Sequence, residues 1–409
     1  MYGLVLEGGG TRGAFHMGAV KALLENGYAF GGVAGTSIGA FNAAIIAQGD
    51  FEHGYHLWQN MTTAMLLDIE EEQVNKFLNR EIDREFLMYS AKKAWQIISN
   101  RGLDVSRIRK MLDENIDEEK LRESGMDFGI VTVSVSDLMP LELFKEDIPK
   151  GKLIDYLIAS AYLPAFRMER IDGKFMIDGG FYNNLPVNLM VKKGYTDIIA
   201  IRTFGMGKIR PVEDEKVNVT YIEPSEKLGR VLSLDKRVVA RNLKMGYMDT
   251  MRMIKGLKGV KYYIEPMDDA VFVKAFSRVP PGVREKLAAL FDLGYIEGPQ
   301  MMTERILPTI THLMGAKDSI SCQDIAARML EALIAEGELE RYRIYTFSAL
   351  LSHVKREIPD HIDYQNLLGS KIGGIGRIVS KHIRESMLRI AACEIFKTMP
   401  ENAFGKKDK

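Results

Sequence analysis

Ser37 has the sequence surroundings of a serine nucleophile. It is the central residue of a G-x-S-x-G segment that lies between a short apolar run and the helix-like stretch 40–47. The flanking Gly35 and Gly39 allow the chain to turn sharply from strand into helix, which lifts a serine hydroxyl toward a substrate carbonyl. The segment therefore predicts a nucleophile elbow and a hydrolytic reaction. The alternative is a glycine-rich turn in which the serine has no chemical role.

A second glycine-rich segment, residues 8–13, lies between the strand-like run 2–6 and the helix-like stretch 14–24. Consecutive glycines there can turn their N–H groups outward at the start of a helix, where the positive end of the helix dipole stabilises an anion. Each oxyanion donor contributes roughly 3 kcal/mol to acyl transfer. The predicted donors are the amides of this loop, namely Gly8, Gly9, Gly10, Thr11, Arg12 and Gly13.

The same loop also fits G-x-G-x-x-G, the pattern of dinucleotide-binding proteins, so nucleotide binding is a competing hypothesis. A Rossmann unit places an acidic residue about 20 residues further on, where it binds the ribose. Between Glu25 and Asp50 the sequence contains no acidic residue. The missing acid disfavours the nucleotide hypothesis without removing it.

A serine hydroxyl needs a neighbouring base to take its proton. We predict Asp178 in this role because it ends the apolar, strand-like run 175–177 and precedes Gly179 and Gly180. Open α/β sheets bind ligands at the edge where their strands end. The alternative is an aspartate in an ordinary Asp-Gly turn.

Histidine is the other candidate base, and the chain has seven: His16, His53, His56, His312, His353, His361 and His382. None of them lies in a recognisable catalytic motif. His16 is expected to pack or hydrogen-bond within the first helix, and the late histidines fall in amphipathic helical stretches. A Ser-Asp-His α/β-hydrolase that uses Ser37, Asp178 and one of the four late histidines stays open. Against it, both motifs belong here to the first two strand–helix units, whereas that fold forms its oxyanion hole after a third strand.

With these motifs together, the chain resembles the patatin-like phospholipase family. Residues 8–13 (GGGTRG) resemble the family's G-G-G-x-[RK]-G oxyanion loop, and residues 35–39 (GTSIG) resemble its G-x-S-x-G. Residues 178–180 (DGG) are similar to its D-G-[GA], and residues 159–166 (ASAYLPAF) are similar to its A-S-x-x-x-P-x-F. The likeness extends over roughly residues 1–265, and we find no family motif beyond it.

The resemblance implies a lipid acyl hydrolase that works with a Ser-Asp dyad and without histidine. It implies that Ser37 is the nucleophile, that Asp178 is the base, and that the amides of the glycine-rich loop hold the oxyanion. The implied fold is a patatin-like three-layer α/β/α sandwich. One departure is Arg167, where members often have proline. The acyl chain and head group of the substrate do not follow from the resemblance.

A free aspartate has a pKa of about 4 and is a weak base. Burial beside Ser37 would raise the pKa of Asp178, because desolvation disfavours the charged carboxylate. We therefore predict that Asp178 is partly buried and within hydrogen-bonding reach of the Ser37 hydroxyl. It would accept the serine proton during attack on an ester, and would then activate the water that hydrolyses the acyl-enzyme.

The composition shows no excess charge. The 409 residues include 55 basic and 55 acidic side chains, so we expect no binding to nucleic acid. Cys322 and Cys393 are too few for a disulfide framework and lack the spacing of metal ligands, and neither a metal nor another cofactor is expected. The expected partner is a phospholipid or another fatty acyl ester, with transient contact at a membrane surface. Whether the chain forms a homodimer is left open.

Strand-like and helix-like runs alternate through the first part of the chain, which predicts an α/β sheet with helices on its faces. A mostly helical insertion at 51–123, rich in Met and aromatic residues, is a candidate lid, with ordinary core as the alternative. No secretory signal or membrane-spanning run is evident, so a cytoplasmic location is expected. We expect a catalytic domain at 1–270.

The remaining chain, residues 271–409, is expected to be a helical accessory domain of unknown role. Pro280 and Pro281 break the preceding element, and amphipathic patterns follow them. Ser321 and Asp324 have the spacing of a helix cap.

Overall fold

The computed structural model describes residues 1–62, 65, 104–163, 166, 169–231, 235–316, 320–358, 381–400 and 404. The chain forms two compact units, Met1–Thr250 and Met251–Lys409, which we call the sheet unit and the helical unit. The assignment of a catalytic domain to residues 1–270 and of an accessory domain to residues 271–409 stays a prediction.

Among the described residues, the sheet unit contains one eight-stranded sheet. Its strands are β1 (Tyr2–Leu6), β2 (Phe30–Gly35), β3 (Asp127–Ser134), β4 (Met139–Phe144), β5 (Arg170–Ile171), β6 (Lys174–Asp178), β7 (Asp197–Ile201) and β8 (Asn218–Ile222). The strands in the order β3-β2-β1-β7-β8 are parallel. By contrast, β4 and β6 pair with β3 in the antiparallel direction, and β5 pairs with β6.

Helices cover both faces of this sheet. They are α1 (Ala14–Glu25), α2 (Ile38–Ala47), α3 (Phe51–Asn60), α4 (Ser106–Asn115), α5 (Glu118–Glu123), α6 (Leu153–Ser160), α7 (Val187–Lys192) and α8 (Lys236–Lys255), the last of which contains the division between the units. On one face Val5 and Ala34 pack with Leu189 of α7. Leu4 and Val33 point to the opposite face, since side chains alternate along a strand, and they are equally buried. The predicted α/β class is therefore confirmed.

The insertion at 51–123 is described only in part. Helices α3, α4 and α5 form its two ends. Residues 63–64 and 66–103 lie outside the described residues, so the predicted lid stays a prediction.

The helical unit has its own hydrophobic core, which includes Phe272, Phe347 and Phe396. Its helices are α9 (Asp269–Ser277), α10 (Pro281–Leu290), a π-helix (Met301–Ile306), α11 (Leu307–Leu313), α12 (Cys322–Leu333), α13 (Phe347–Glu357) and α14 (Lys381–Thr398). Two short strands, β9 (Tyr263–Ile264) and β10 (Ile344–Tyr345), pair in parallel. The predicted helical C-terminal region is confirmed, and so is the cap, because Ser321 accepts a hydrogen bond from the Asp324 amide. Among the described residues, no helix has both the length and the apolar composition of a membrane span.

Candidate active site

Ser37 lies in a strained turn between β2 and α2. Its backbone has φ 55° and ψ −123°, a conformation that costs a residue with a side chain about 1–3 kcal/mol and persists only where the surroundings enforce it. Part of that enforcement comes from Gly39, because a Cβ there would lie 2.2 Å from the Leu6 carbonyl oxygen. The turn leaves Ser37 half-buried, directly beyond the carboxyl end of β2.

A second residue, Ser160 at the end of α6, holds the turn from the other side. Its hydroxyl oxygen accepts a hydrogen bond from the Ser37 amide at 3.0 Å and donates one to the Val131 carbonyl at 2.7 Å. Ser160 is fully buried, so water does not compete for these bonds. Ser160 belongs to the family-like segment 159–166, and no role was predicted for it.

The register of β3 explains how Asp178 reaches Ser37. The last residue of β2, Gly35, pairs with Ile130, and the last residue of β6, Asp178, pairs with Thr132 on the same side of β3. The two strands run in opposite directions, so their carboxyl ends meet at positions two residues apart on β3, about 7 Å along the strand. We expected Asp178 at the edge where the strands of an open α/β sheet end. The structure places it there on an antiparallel strand, β6, whose carboxyl end lies next to the carboxyl end of β2.

Asp178 is buried, with 6% of its surface exposed. Its Oδ1 accepts a hydrogen bond from the Gly180 amide at 2.7 Å. Burial raises the pKa of Asp178 to about 6, because it outweighs the Gly180 amide and the nearby Ser37 side chain, which both favour the charged form. The structure thus brings the two predicted residues together, and their catalytic roles stay predictions.

The two glycines after Asp178 make this approach possible. A Cβ on Gly179 would lie 2.2 Å from the Val131 carbonyl oxygen, so a larger residue would push the turn away from β3. Asp178 also caps the short 3₁₀ turn Gly179–Phe181 through the Gly180 amide. Asp178 therefore lies in an Asp-Gly turn, as the ordinary-turn alternative predicts, and its role as a base stays a prediction.

Three of the predicted oxyanion donors are already bonded within the protein. The Gly8 amide donates to the Asn184 carbonyl at 3.0 Å, the Thr11 amide to Val231 at 2.8 Å, and the Arg12 amide to Gly9 at 3.3 Å.

In the described part of the chain, by contrast, the amides of Gly9 and Gly10 have no such acceptor. Gly10 has φ 58°, in the left-handed region that glycine adopts without strain. Gly13 ends the 3₁₀ turn Gly10–Gly13, and its carbonyl accepts a hydrogen bond from Asn42. Of the six predicted residues, Gly9 and Gly10 are therefore the best candidates to bind an oxyanion.

Two charged side chains anchor this loop to the segments that follow β7 and β8. The Arg12 guanidinium donates to the carbonyls of Gly229 and Phe204 at 3.0 and 2.7 Å. Glu7, fully buried at the end of β1, accepts hydrogen bonds from the amides of Thr203 and Phe204 at 2.7 and 3.0 Å. We did not predict the role of Glu7. The sequence feature that could have indicated it is an acidic residue between a buried strand and a glycine-rich loop.

None of the three histidines described in the sheet unit hydrogen-bonds with Ser37. His16 is buried, its ring nitrogen Nδ1 lies 3.2 Å from the Asn42 amide nitrogen, and burial lowers its pKa to about 3. His53 and His56 hydrogen-bond Asn115 and Gln59 instead.

The four late histidines belong to other parts of the chain. His312, His353 and His382 are residues of the helical unit, and His361 lies outside the described residues.

With this geometry in place, known proteins provide a comparison. The family model described as Patatin-like phospholipase matches residues 4–191. That range contains Ser37, Asp178 and the whole glycine-rich loop. The resemblance seen in the sequence is confirmed, because residues 4–191 are similar to this family.

Curated relatives match about half of the chain. Patatin-like phospholipase domain-containing protein 6 of Mus musculus is 28% identical over 209 residues, which is 48% of this chain and 13% of that protein. Lysophospholipase NTE1 of Kluyveromyces lactis is 28% identical over 204 residues, 49% of this chain and 12% of that protein. The chain therefore spans only about an eighth of the length of these relatives. Among solved structures, VipD from Legionella pneumophila has a TM-score of 0.40 at 16% identity, over 87% of this chain and 84% of that one.

Proposed function

We propose that the chain is a lipid acyl hydrolase, a serine esterase of the phospholipase A type, with Ser37 as nucleophile and Asp178 as general base. The observation that carries the proposal is the meeting of the strand ends that place the Ser37 side chain beside a buried carboxylate with a pKa of about 6. Such a carboxylate is ionised at neutral pH and yet binds a proton more readily than an ordinary aspartate. The names of the curated relatives support a phospholipid or lysophospholipid ester as the substrate.

In the proposed reaction, Ser37 Oγ attacks the ester carbonyl carbon while its proton passes to Asp178. The carbonyl oxygen becomes an oxyanion, which the amides of Gly9 and Gly10 stabilise. The bond to the alcohol then breaks, and Asp178 returns the proton to the departing oxygen. The products of this half are an acyl-enzyme and a lysolipid or another alcohol.

The second half repeats the first with water as the nucleophile. Asp178 takes a proton from water, the resulting hydroxide attacks the acyl carbon, and the same amides hold the oxyanion. Collapse breaks the bond to Ser37 Oγ, which recovers its proton from Asp178. A free fatty acid leaves, and the enzyme returns to its starting state.

Covalent labelling with a fluorophosphonate and hydrolysis of the short-chain ester p-nitrophenyl butyrate test the proposal together. Ser37→Ala should abolish both, and Asp178→Asn should slow both. The matched controls are Ser106→Ala, at an exposed helix start, and Asp197→Asn, at the opposite end of the parallel strands. Both controls should behave as wild type.

Two outcomes would contradict this proposal. Labelling that persists in Ser37→Ala would assign the nucleophile to another residue. A wild-type protein that neither labels nor hydrolyses any ester, but still binds lipid or a nucleotide, would be a non-catalytic binding protein.

A further inference from the structure

Four large apolar side chains are exposed beside the candidate site. Met206 is 84% exposed, Phe181 and Phe204 are each 50% exposed, and Ile209 is 44% exposed. Phe181 follows the Asp178 turn, and the other three lie in the loop after β7. We call these four residues the apolar rim. Burial in an apolar environment would stabilise such a group of exposed side chains.

Backbone contacts fix the apolar rim to the candidate site. The Lys208 amide donates to the Gly180 carbonyl at 2.9 Å, which ties the loop to the Asp178 turn. On the other side, Gly205 lies so close to the oxyanion loop that a Cβ there would be 1.9 Å from the Gly8 carbonyl oxygen. The apolar rim therefore cannot move far without moving both halves of the site.

The strand register places the apolar rim at the mouth of the site. Leu6, the last residue of β1, pairs with Ile201, the last residue of β7, and Gly35 pairs with Leu6. The loops after β1, β2 and β7 consequently leave the sheet at one edge, which carries Ser37. A surface that touched the apolar rim would face the entrance to the serine.

The exposed charge in the loop that carries the apolar rim is positive. Lys208 and Arg210 are exposed, and neither has a carboxylate within ion-pair distance among the described residues. The Arg210 guanidinium lies 4.3 Å above the Tyr182 ring, which holds its charge beside Phe181. No acidic residue occurs between Asp197 and Glu213, which flank this segment in sequence. The chain is neutral overall, so this local charge was not evident from composition.

We propose that the apolar rim, with Lys208 and Arg210, docks the chain on an anionic phospholipid surface. Phe204 and Met206 enter the boundary between head groups and acyl chains, while the two cations pair with anionic head groups, as in other interfacial proteins. The inference rests on the proposed function, since docking brings an acyl ester in the bilayer to Ser37. It adds the surface by which the chain reaches that substrate.

Flotation with vesicles tests the docking separately from catalysis. The full chain carrying Ser37→Ala is mixed with equimolar phosphatidylglycerol–phosphatidylcholine vesicles, or with pure phosphatidylcholine vesicles, so that no lipid is consumed. We expect binding mainly to the anionic vesicles. Adding Met206→Glu should weaken it by about tenfold, and adding Lys208→Glu by about fivefold. Leu24→Glu is the matched control, because Leu24 is an exposed apolar residue near the end of α1, and it should bind as Ser37→Ala does.

A second assay distinguishes the failure of this inference from that of the proposed function. In the background with Ser37 intact, Met206→Glu and Lys208→Glu should hydrolyse p-nitrophenyl butyrate at the wild-type rate but vesicle lipid more slowly. A wild type that hydrolyses the soluble ester while Ser37→Ala binds no vesicles would overturn the docking alone. Equal loss of binding in Leu24→Glu would also overturn it. So would a dimer that Met206→Glu dissociates in the absence of lipid, since the apolar rim would then contact a second copy of the chain.

Discussion

Asp178 in the sheet unit and Glu331 in the helical unit are both buried carboxylates, and burial raises the pKa of each. Their hydrogen-bond donors differ. Glu331, on α12, accepts hydrogen bonds from the backbone amides of Val260, Lys261 and Tyr262, each with a nitrogen–oxygen distance of 2.8 Å. Asp178 accepts a hydrogen bond from one amide, that of Gly180, and lies beside the Ser37 side chain, which favours its charged form.

The difference shows that burial alone does not make a carboxylate a base. Amide protons do not transfer near neutral pH, so three amides around Glu331 fix a loop and leave the carboxylate nothing to deprotonate. A serine hydroxyl can lose its proton when its oxygen attacks a carbonyl. Of these two carboxylates, therefore, only Asp178 combines a raised pKa with a neighbouring group, the Ser37 hydroxyl, that can give up its proton.

The largest expected effect is on catalysis. Asp178→Asn keeps the shape of the side chain but removes the basic oxygen, and should lower kcat/KM for p-nitrophenyl butyrate by about 10³-fold. Glu331→Gln, the equivalent change in the helical unit, should leave kcat/KM within about twofold, because Glu331 has no part in the proposed chemistry. Steady-state kinetics on the folded variants measures both values of kcat/KM. Similar losses in the two would remove the distinction between the carboxylates.

The second effect is on stability, where the change at Glu331 is expected to matter more than the change at Asp178. Glu331→Ala leaves three amides without their acceptor, of which the Tyr262 amide is buried, and should lower the free energy of unfolding by about 3 kcal/mol. Glu331→Gln retains one acceptor oxygen and should lose less. Urea denaturation followed by circular dichroism measures both, with Glu336→Ala at an exposed position as the control. If Glu331→Ala were as stable as Glu336→Ala, the three amide bonds would not stabilise the unit.

The third effect is on pH dependence. Because Asp178 must be ionised to act as a base, kcat/KM should be constant above about pH 7 and fall about tenfold per pH unit below its pKa. The raised pKa also means that the native state binds this proton before the unfolded chain does. Stability from this group should therefore rise as pH falls from about 6 to about 4, and Asp178→Asn should remove that rise. An activity profile flat down to pH 4 would contradict the proposed base.

Local sequence predicted much of this site because its parts depend on local chemistry. The strained Ser37 turn needs glycine at Gly39, and the close approach to β3 needs Gly179, so both left a readable pattern. The approach of Asp178 to Ser37 has no such pattern in the local sequence. It depends on β6 being antiparallel and stopping at Thr132, and strand direction and register are set by distant packing.

The helical unit shows the same limit. Ser321 was predictable as a cap because it and Asp324 are three residues apart. Glu331 lies on the same helix, α12, and a glutamate there is ordinarily expected to face solvent. Its burial follows from the loop at 260–262, about 70 residues earlier in the chain. No pattern within the helix indicates it.

The smallest effect concerns Ser160, which positions the nucleophile without touching the proposed reacting atoms. Ser160→Ala removes the acceptor of the Ser37 amide, so the strained turn can relax and the hydroxyl occupies its productive position less often. We expect kcat to fall by about three- to tenfold with KM nearly unchanged, since a misplaced nucleophile slows attack more than binding. The pH midpoint should stay where it is, because Asp178 keeps its partners.

The matched control for this change is Ser134→Ala. Ser134 is as buried as Ser160, and its hydroxyl donates to the Asp137 carboxylate at 2.8 Å, away from the Ser37 turn. Its removal should cost similar stability and leave kcat unchanged. Equal losses of kcat in both variants would mean that a general loosening of the sheet unit, and not the position of Ser37, accounts for the effect. A loss in Ser160→Ala that exceeds the one in Asp178→Asn would instead place the strained turn, and not the base, first in catalysis.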